Sequence, residues 1–132
     1  MPITAEQSRA FANSWYAAWN ARPNADLAAI MAHYAPGIEH SSPFIARFNG
    51  TNDAVLRGHA AVSDYFGRAI ERSPTPPEGG PGGTLRFNPL HLTIGHDSVI
   101  LIYRRFSGEL AAEVFSFDDA RKVVRSVSHY AA

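Results

Sequence analysis

The chain has 132 residues, 45% of them hydrophobic, and its 12 Lys and Arg residues balance its 12 Asp and Glu residues. One domain of this length can bury a hydrophobic core, and a formal charge of zero argues against a nucleic-acid partner or an anionic membrane surface. The absence of cysteine excludes disulfides, thiolate metal sites and a cysteine nucleophile. Without a targeting signal or an apolar run long enough to span a membrane, we expect a cytoplasmic protein.

Helical patterns open the chain. A capping-box pattern at Thr4 and apolar residues at helical spacing predict a first helix that runs to about Asn20. A short second helix is predicted within 24–36, where Tyr34 shares the apolar stripe and Pro36 ends the helix. Both helices present one apolar face, so both are predicted to pack on a common core.

The middle of the chain alternates between regular and irregular patterns. Residues 37–44 predict a short strand stopped by Pro43, and 44–58 show no clean period and predict an irregular loop. A third helix is predicted over 58–73. The Pro/Gly-rich segment at about 72–83 is unsuited to helix or central strand, so it is either a mobile loop or a lid.

The last third of the chain predicts four strands, over 84–94, 98–106, 109–117 and 122–130, separated by turn residues. Three helices followed mainly by an antiparallel meander are typical of an α+β fold, in which helices cover one face of a curved sheet. We therefore predict a single domain over residues 1–132, with no internal repeat.

The register of the last two hairpins predicts which side chains share a face with Glu113. If Ser107 and Gly108 form a two-residue turn, Glu113 lies opposite Ile102, and the following loop places it opposite Ser126. Such a face is apolar with a few polar groups, as in a ligand cavity. Its predicted members are Ile100, Ile102, Arg104, Glu113, Phe115, Phe117, Val124, Ser126, Ser128 and Tyr130.

The reverse face of these strands is predicted to be apolar as well. Its predicted members are Val99, Leu101, Tyr103, Leu110, Val114, Val123 and Val127. Two apolar faces imply that both are covered, one by the helices and the other by a second subunit. We therefore expect a homodimer through the outer face of the sheet.

Glu113 has two interpretations at this stage. In one, it lies in the pocket, desolvation raises its pKa above about 4.3, and it donates or accepts a proton. In the other, it is structural, either neutralised by Arg104 across the hairpin or hydrogen-bonded to Ser126 and a helix terminus. The residues alone leave both interpretations open.

Three stretches of the chain resemble a known family, the SnoaL-like proteins of the nuclear-transport-factor-2-like superfamily. They are ANSWYAAWNARPNADLAAIMAHYAPGIEHSSPF, GHAAVSDYF and AEVFSFDDARKVVRSVSHY, which cover nearly all of the chain apart from the Pro/Gly-rich segment. The superfamily includes ketosteroid isomerases and small polyketide cyclases. The resemblance implies a cone-shaped curved sheet wrapped around three N-terminal helices, a pocket between them for a small apolar organic molecule, and commonly a dimer.

The resemblance carries over to single residues only in part. Glu113 matches the acidic residue of ketosteroid isomerases that stays protonated and donates to an oxyanion. Ser42 stands where those enzymes have their general-base Asp, and Trp15 where they have an oxyanion-donating Tyr. His40, two residues before Ser42 on the predicted strand, is a possible substitute base, or else a hydrogen-bonded core histidine.

The remaining candidates are pocket-wall residues. Substrate contacts are predicted for Trp15, Trp19, Tyr34, Ser42, Phe44, Tyr65, Phe66, Ile102, Phe115, Ser126 and Tyr130, although aromatic stripes also serve as core. Arg104 or Tyr130 would orient the substrate. The six histidines show no metal-ligand spacing, so we expect neither metal nor cofactor.

Two functions follow from these residues. The leading hypothesis is acid–base chemistry without a cofactor, such as isomerisation, aldol-type cyclisation or hydration, with Glu113, His40 and Arg104 as catalytic residues. The alternative is a non-catalytic ligand-binding or dimerisation module in which Glu113 is a structural ion-pair residue.

Overall fold

A computed structural model describes residues 1–73 and 85–132 of the chain. Its helices are α1 (Ala5–Trp19), α2 (Leu27–Met31), α3 (Pro43–Asn49) and α4 (His59–Arg72). Its strands are β1 (Tyr34–Ser41), β2 (Val55–Arg57), β3 (Phe87–Ile94), β4 (Ser98–Arg105), β5 (Leu110–Phe117) and β6 (Val123–Tyr130). Most of the predicted Pro/Gly-rich loop lies outside the described residues, so its role as a lid stays a prediction.

The first and last predicted helices are confirmed. Thr4 caps α1 through a reciprocal capping box with Gln7, whose backbone N–H donates to the Thr4 hydroxyl over 3.0 Å. The helix buries a stripe that includes Phe11, Trp15 and Trp19, and α4 buries Val62 and the residues one turn apart on the same side. Both helices therefore contribute their apolar faces to one core.

The predicted second helix is too long. Helix α2 ends at Met31, and both Tyr34 and Pro36 belong to strand β1. A proline disrupts a β-sheet only where its missing N–H would have to donate a hydrogen bond to a neighbouring strand. In the described part of the chain, β2 pairs only with residues 39–41 of β1, and the β1–β6 register is irregular between Tyr34 and Glu39. Pro36 is therefore tolerated in the strand rather than acting as a helix stop.

The predicted irregular loop over 44–58 is also wrong, because it contains helix α3 and strand β2. The Ser42 hydroxyl accepts the backbone N–H of Phe44 over 3.2 Å, and Pro43 stands at the first helical turn. Gly50 ends the helix in the left-handed conformation, with a φ of 64°. These start and stop residues are visible in the sequence even though the helix itself is short.

The six strands form one curved, open sheet in the order β2-β1-β6-β5-β4-β3. All neighbouring strands are antiparallel except β1 and β6, which run parallel. The predicted α+β fold is confirmed, with a short fourth helix beyond the three predicted. Within the described ranges, no helix is both long and apolar enough to cross a membrane.

The predicted register of the β4–β5 hairpin is wrong by one residue. The backbone N–H of Arg105 donates to the Glu109 carbonyl over 2.8 Å, so the loop has three residues, and Gly108 takes a φ of 97°. Because side chains alternate along a strand, a one-residue change turns all of β4 over. Glu113 consequently lies opposite Leu101, not opposite Ile102.

The register of β5 on β6 is also displaced, but it keeps the predicted face. Glu113 lies opposite Ser128 rather than Ser126, a shift of two residues that leaves both serines on the side of Glu113. An irregularity after Ser116 then brings Val123, instead of Val124, to the buried side. Glu113 thus faces the helices as predicted.

The outer face of the sheet therefore differs from the predicted one on β4. Its members are Ile100, Ile102, Arg104, Leu110, Val114 and Val127, all half-buried or exposed. Val99, Leu101 and Tyr103, which were predicted to lie there, are buried beneath the helices. The expected dimer through this face stays a prediction.

Candidate active site

A cavity of about 510 Å³ lies between the inner face of the sheet and helices α1, α3 and α4. Its volume is in the range of small-molecule sites. The sequence-predicted residues that line it are Trp15, Trp19, His40, Ser42, Phe44, Tyr65, Phe66, Glu113 and Tyr130.

Five predicted site residues lie elsewhere. Tyr34, Phe115 and Ser126 are buried behind the cavity wall, where the Tyr34 hydroxyl accepts the indole N–H of Trp15 over 3.1 Å. Ile102 and Arg104 lie on the outer face because the hairpin register turns β4 over. The Arg104 guanidinium donates to the Gly108 carbonyl over 2.7 Å, so the predicted ion pair with Glu113 does not form.

Several lining residues were missed by the sequence interpretation. They are Arg47, Phe48, Ala69, Arg72, Ser73, Arg86, Phe87, Tyr103, Arg105, Phe106 and Ser107, whereas Ser128 lines the cavity on the face predicted for it. Arg47 and Phe48 belong to α3, whose Pro and Gly end signals could have predicted it. Tyr103 and Arg105 were missed because they depend on the hairpin register, and no local pattern indicates that Arg86 lies at the cavity.

Glu113 is buried at the centre of the sheet, with 6% of its surface exposed. Its Oε1 accepts a hydrogen bond from the Ser128 hydroxyl. Burial raises the pKa of Glu113 to about 7, and the bond from Ser128 opposes this effect. Near neutral pH the side chain therefore exists partly as a neutral carboxylic acid, which can donate a proton.

His40 is buried on the neighbouring side of the cavity, with 2% of its surface exposed. Its Nδ1 lies 2.6 Å from the Ser126 hydroxyl, and its ring meets that of Phe66 edge-on at 5.1 Å. Burial lowers the pKa of His40 to about 4, so the imidazole is neutral near neutral pH. If Ser126 accepts the Nδ1 proton, the Nε2 lone pair is available as a base.

Strand β6 brings these two groups together, because it lies between β1 and β5. Ser126 is opposite His40 on one side, and Ser128 is opposite Glu113 on the other. The serines are two residues apart, a repeat of roughly 7 Å along a strand, and their side chains share a face. The sheet thus holds an acid and a base along one edge of the cavity, and each of them is hydrogen-bonded to a different serine of β6.

All five tyrosines of the chain lie within the electrostatic influence of Glu113. Burial is the first cause of each raised pKa, and for Tyr65 it is raised to about 12. For Tyr130, hydrogen bonding with Ser42 and Ser128 partly opposes the rise. These phenols stay protonated near neutral pH, and the three that line the cavity, Tyr65, Tyr103 and Tyr130, can donate hydrogen bonds there.

Arginines and aromatic rings surround the cavity on the side of α3. The guanidinium of Arg47 lies 5.1 Å from the ring centre of Phe44, and that of Arg72 lies 4.9 Å from Phe48. Arg105 is 5.3 Å from the ring centre of Tyr130. Cation–π contacts hold the arginine side chains against the aromatic wall.

The described residues contain no group of three or more His, Asp or Glu side chains placed to hold a metal ion. What the site offers is a carboxylic acid, a neutral imidazole and phenolic donors in a largely aromatic enclosure. Such a set can remove a proton from carbon at one point and hydrogen-bond a developing oxyanion at another.

Comparisons with solved structures show a strong structural likeness. A SnoaL-like protein of unknown function from Burkholderia thailandensis is 38% identical, covers 100% of both chains and has a TM-score of 0.84. No protein-family model matches the chain, and no curated protein matches it significantly.

Two more distant structures show the same fold. A candidate isomerase of the SnoaL-like family from Agrobacterium tumefaciens is 15% identical over 96% of this chain and 99% of its own, with a TM-score of 0.67. A candidate polyketide cyclase from Sinorhizobium meliloti is 14% identical over 96% and 100%, also with a TM-score of 0.67. At these identities the likeness supports the fold alone.

Proposed function

The chain belongs to the SnoaL-like family, and from that premise we propose that it is a cofactor-independent acid–base enzyme acting on a small, largely apolar carbonyl compound. Family membership supports a role in small-molecule binding or catalysis. The reaction type proposed is proton transfer next to a carbonyl group, which underlies both isomerisation and aldol-type ring closure.

The observation that carries the proposal is the pair of buried, serine-held groups on one cavity edge. Glu113 is buried without an ion-pair partner among the described residues, and its hydrogen bond comes from Ser128. A structural ion pair would hold the pKa of this carboxyl low, whereas burial raises it to about 7. A carboxyl group kept neutral is suited to donating to an oxygen that gains charge.

In the proposed reaction, the Nε2 lone pair of His40 takes a proton from the carbon next to the substrate carbonyl. The Glu113 carboxyl donates its proton to the carbonyl oxygen, so an enol forms without a net charge on the substrate. Return of the His40 proton to another carbon, and of the enol proton to Glu113, completes an isomerisation and restores both groups. Tyr130, at the same wall, orients the substrate through its hydroxyl.

The test uses 2-tetralone, a small apolar ketone whose α-hydrogens exchange with deuterium when it enolises. We expect the protein to accelerate this exchange in D₂O, measured by NMR. Glu113→Gln keeps the size and burial of the side chain but cannot supply the proton, so we expect the exchange rate to fall by about 10²–10⁴-fold. Binding of 2-tetralone, followed through Trp15 and Trp19 fluorescence, should change little.

The matched control is Arg125→Gln, a charge removal at an exposed position of β6 outside the cavity. It should leave the exchange rate unchanged. If Glu113→Gln exchanges 2-tetralone as fast as the wild-type protein, the catalytic role of Glu113 is wrong. If the wild-type protein binds 2-tetralone without accelerating exchange, the cavity is a binding site without acid–base chemistry.

A further inference from the structure

Basic residues are concentrated at the cavity in a chain that has no net charge. Four of the 12 Lys and Arg residues line it, namely Arg47, Arg72, Arg86 and Arg105. Among the acidic residues that the structure describes, Glu113 alone does so. Arg105 has an acidic partner outside the lining, since its Nη1 lies 3.5 Å from Glu109. The described cavity lining therefore carries more positive than negative charge.

Arg86 differs from the other three in its burial. Only 8% of its surface is exposed, and its Nη2 donates to the Asn24 side-chain oxygen over 2.9 Å. Its Nε is buried and has no hydrogen-bond partner in the described part of the chain. None of the ion pairs formed by described residues includes Arg86. A buried guanidinium without a carboxylate partner is costly unless something else compensates its charge.

A second unpaired donor belongs to the same part of the cavity. The indole N–H of Trp19 is buried and, among the described residues, also lacks an acceptor. The end of α1 is tied to the start of β3, because the Asn20 side chain exchanges hydrogen bonds of 2.8 and 2.9 Å with the backbone of Phe87. This tie brings the end of α1 beside the start of β3, and both Trp19 and Arg86 line the cavity.

We propose that Arg86, assisted by the indole N–H of Trp19, binds the carboxylate of the substrate, and that the substrate is therefore an aromatic or polycyclic organic acid. The inference rests on the proposed function for the identity of the cavity as the substrate site. A carboxylate supplies the missing negative charge and several acceptor lone pairs, which suit the planar guanidinium.

The remainder of such an acid fits the rest of the wall. Trp15 and Phe87 stack with an interplanar angle of 15° at 5.5 Å, and Trp19 lies 5.3 Å from Phe87. These rings form an apolar surface beside Arg86, on which a flat hydrocarbon part can lie. The carboxylate fixes one end of the substrate, which leaves the other end to reach Glu113 and His40.

The experiment compares 2-naphthoate with 2-naphthamide, which have the same ring system and differ in charge. Affinities are measured by isothermal titration calorimetry at pH 7.5. We expect the wild-type protein to bind 2-naphthoate at least about tenfold more tightly than 2-naphthamide, as a charge-assisted hydrogen bond predicts. Arg86→Met should lower the affinity for 2-naphthoate by about 10–100-fold and change the affinity for 2-naphthamide by less than about threefold.

Two further variants keep the test decisive. Arg86→Lys retains the positive charge but not the planar guanidinium, so it should keep part of the preference for 2-naphthoate over 2-naphthamide. It also provides a second variant should Arg86→Met fail to fold. Arg125→Gln, at an exposed position of β6, should leave both affinities unchanged. A preference for 2-naphthoate that survives in Arg86→Met would overturn the assignment to Arg86.

The outcomes separate this inference from the proposed function. If the wild-type protein accelerates 2-tetralone exchange but binds 2-naphthoate and 2-naphthamide equally, the carboxylate site is wrong and the acid–base chemistry stands. If it prefers 2-naphthoate but does not accelerate exchange, the carboxylate site stands and the proposed chemistry is wrong. If it binds neither naphthalene compound, the carboxylate site is overturned.

Discussion

Two pairs of buried side chains, each with its serine on strand β6, invite comparison: His40 of β1 with Ser126, and Glu113 of β5 with Ser128. Both titratable groups are almost fully buried, and each has a serine hydroxyl as its hydrogen-bond partner. Burial raises the pKa of the acid to about 7 and lowers that of the base to about 4. The same buried environment thus shifts the pKa values of the two groups in opposite directions.

The difference shows that the cavity selects the neutral form of whichever group lies in it. Desolvation penalises charge of either sign, and a serine hydroxyl compensates it less than an ion would. An acid and a base can therefore stand near each other without forming an ion pair. That condition is what proton transfer to and from a substrate requires.

The largest effect is expected from removing the acid of this comparison. The pKa of Glu113 is higher in the folded chain, so its contribution to stability is fully present below about pH 4.5 and is lost as the pH rises through about 7. Glu113→Gln cannot ionise. The free energy of unfolding of Glu113→Gln, relative to that of the wild-type protein, should therefore increase by on the order of 3 kcal/mol between pH 4.5 and pH 8. Urea unfolding at several pH values measures this difference.

Glu39→Gln is the matched control, because its carboxylate is half exposed and pairs with Arg57 at 3.6 Å. The free energy of unfolding of Glu39→Gln, relative to wild type, should show no comparable increase between pH 4.5 and pH 8. A difference between Glu113→Gln and wild type that stays constant from pH 4.5 to 8 would show that Glu113 does not titrate as a buried acid.

An effect of similar size but opposite slope is expected from removing the base. The pKa of His40 is lower in the folded chain, so stability is fully present above about pH 6.5 and is lost as the pH falls towards 4. As the pH falls over that interval, the free energy of unfolding of His40→Asn, relative to that of the wild-type protein, should increase by on the order of 3 kcal/mol. The same urea series measures it, with the exposed His129→Asn as control. Equal acid sensitivity of His40→Asn and wild type would contradict the prediction.

The smallest effect is expected from removing one serine at a time. Ser128→Ala deletes the bond that lowers the pKa of Glu113, so this pKa should rise further, by about 0.7 if the bond is worth about 1 kcal/mol. Carbon-13 NMR titration of the glutamate carboxyls measures it. Ser126→Ala should leave the Glu113 titration in place, because Ser126 contacts His40. Equal responses to both substitutions would mean that the two pairs do not act separately.

The helices and strands were predictable where a long periodic pattern existed. The first and third predicted helices and the four C-terminal strands are confirmed. The two helices and strands β4 to β6 bury apolar stripes, whereas β3 buries none of its residues and was indicated by the turn residues that bound it. Helix α3 was missed since its seven residues are too few for a period, although Pro43 and Gly50 bound it. Pro36 was read as a helix stop because a proline's tolerance in a strand depends on pairing, which is not a local property.

The candidate site was predictable only in part for a related reason. Glu113 faces the cavity because of the alternation within its own strand, so the error at Gly108 did not affect it. Arg104 and Tyr103 exchanged faces through that one turn residue, and the predicted ion pair was lost with them. Arg86 received no prediction, because its burial depends on contacts with residues about 60 positions away, such as Asn24.

The sequence by itself determined the α+β class, the limits of most elements and the inward direction of Glu113, because periodicity and turn chemistry act over a few neighbouring residues. Only the tertiary structure decided which strands lie side by side, which arginines reach the cavity and which partner each titratable group has. Register and burial arise from contacts between distant parts of the chain, and desolvation, which sets the protonation of Glu113 and His40, exists only once those contacts close around them.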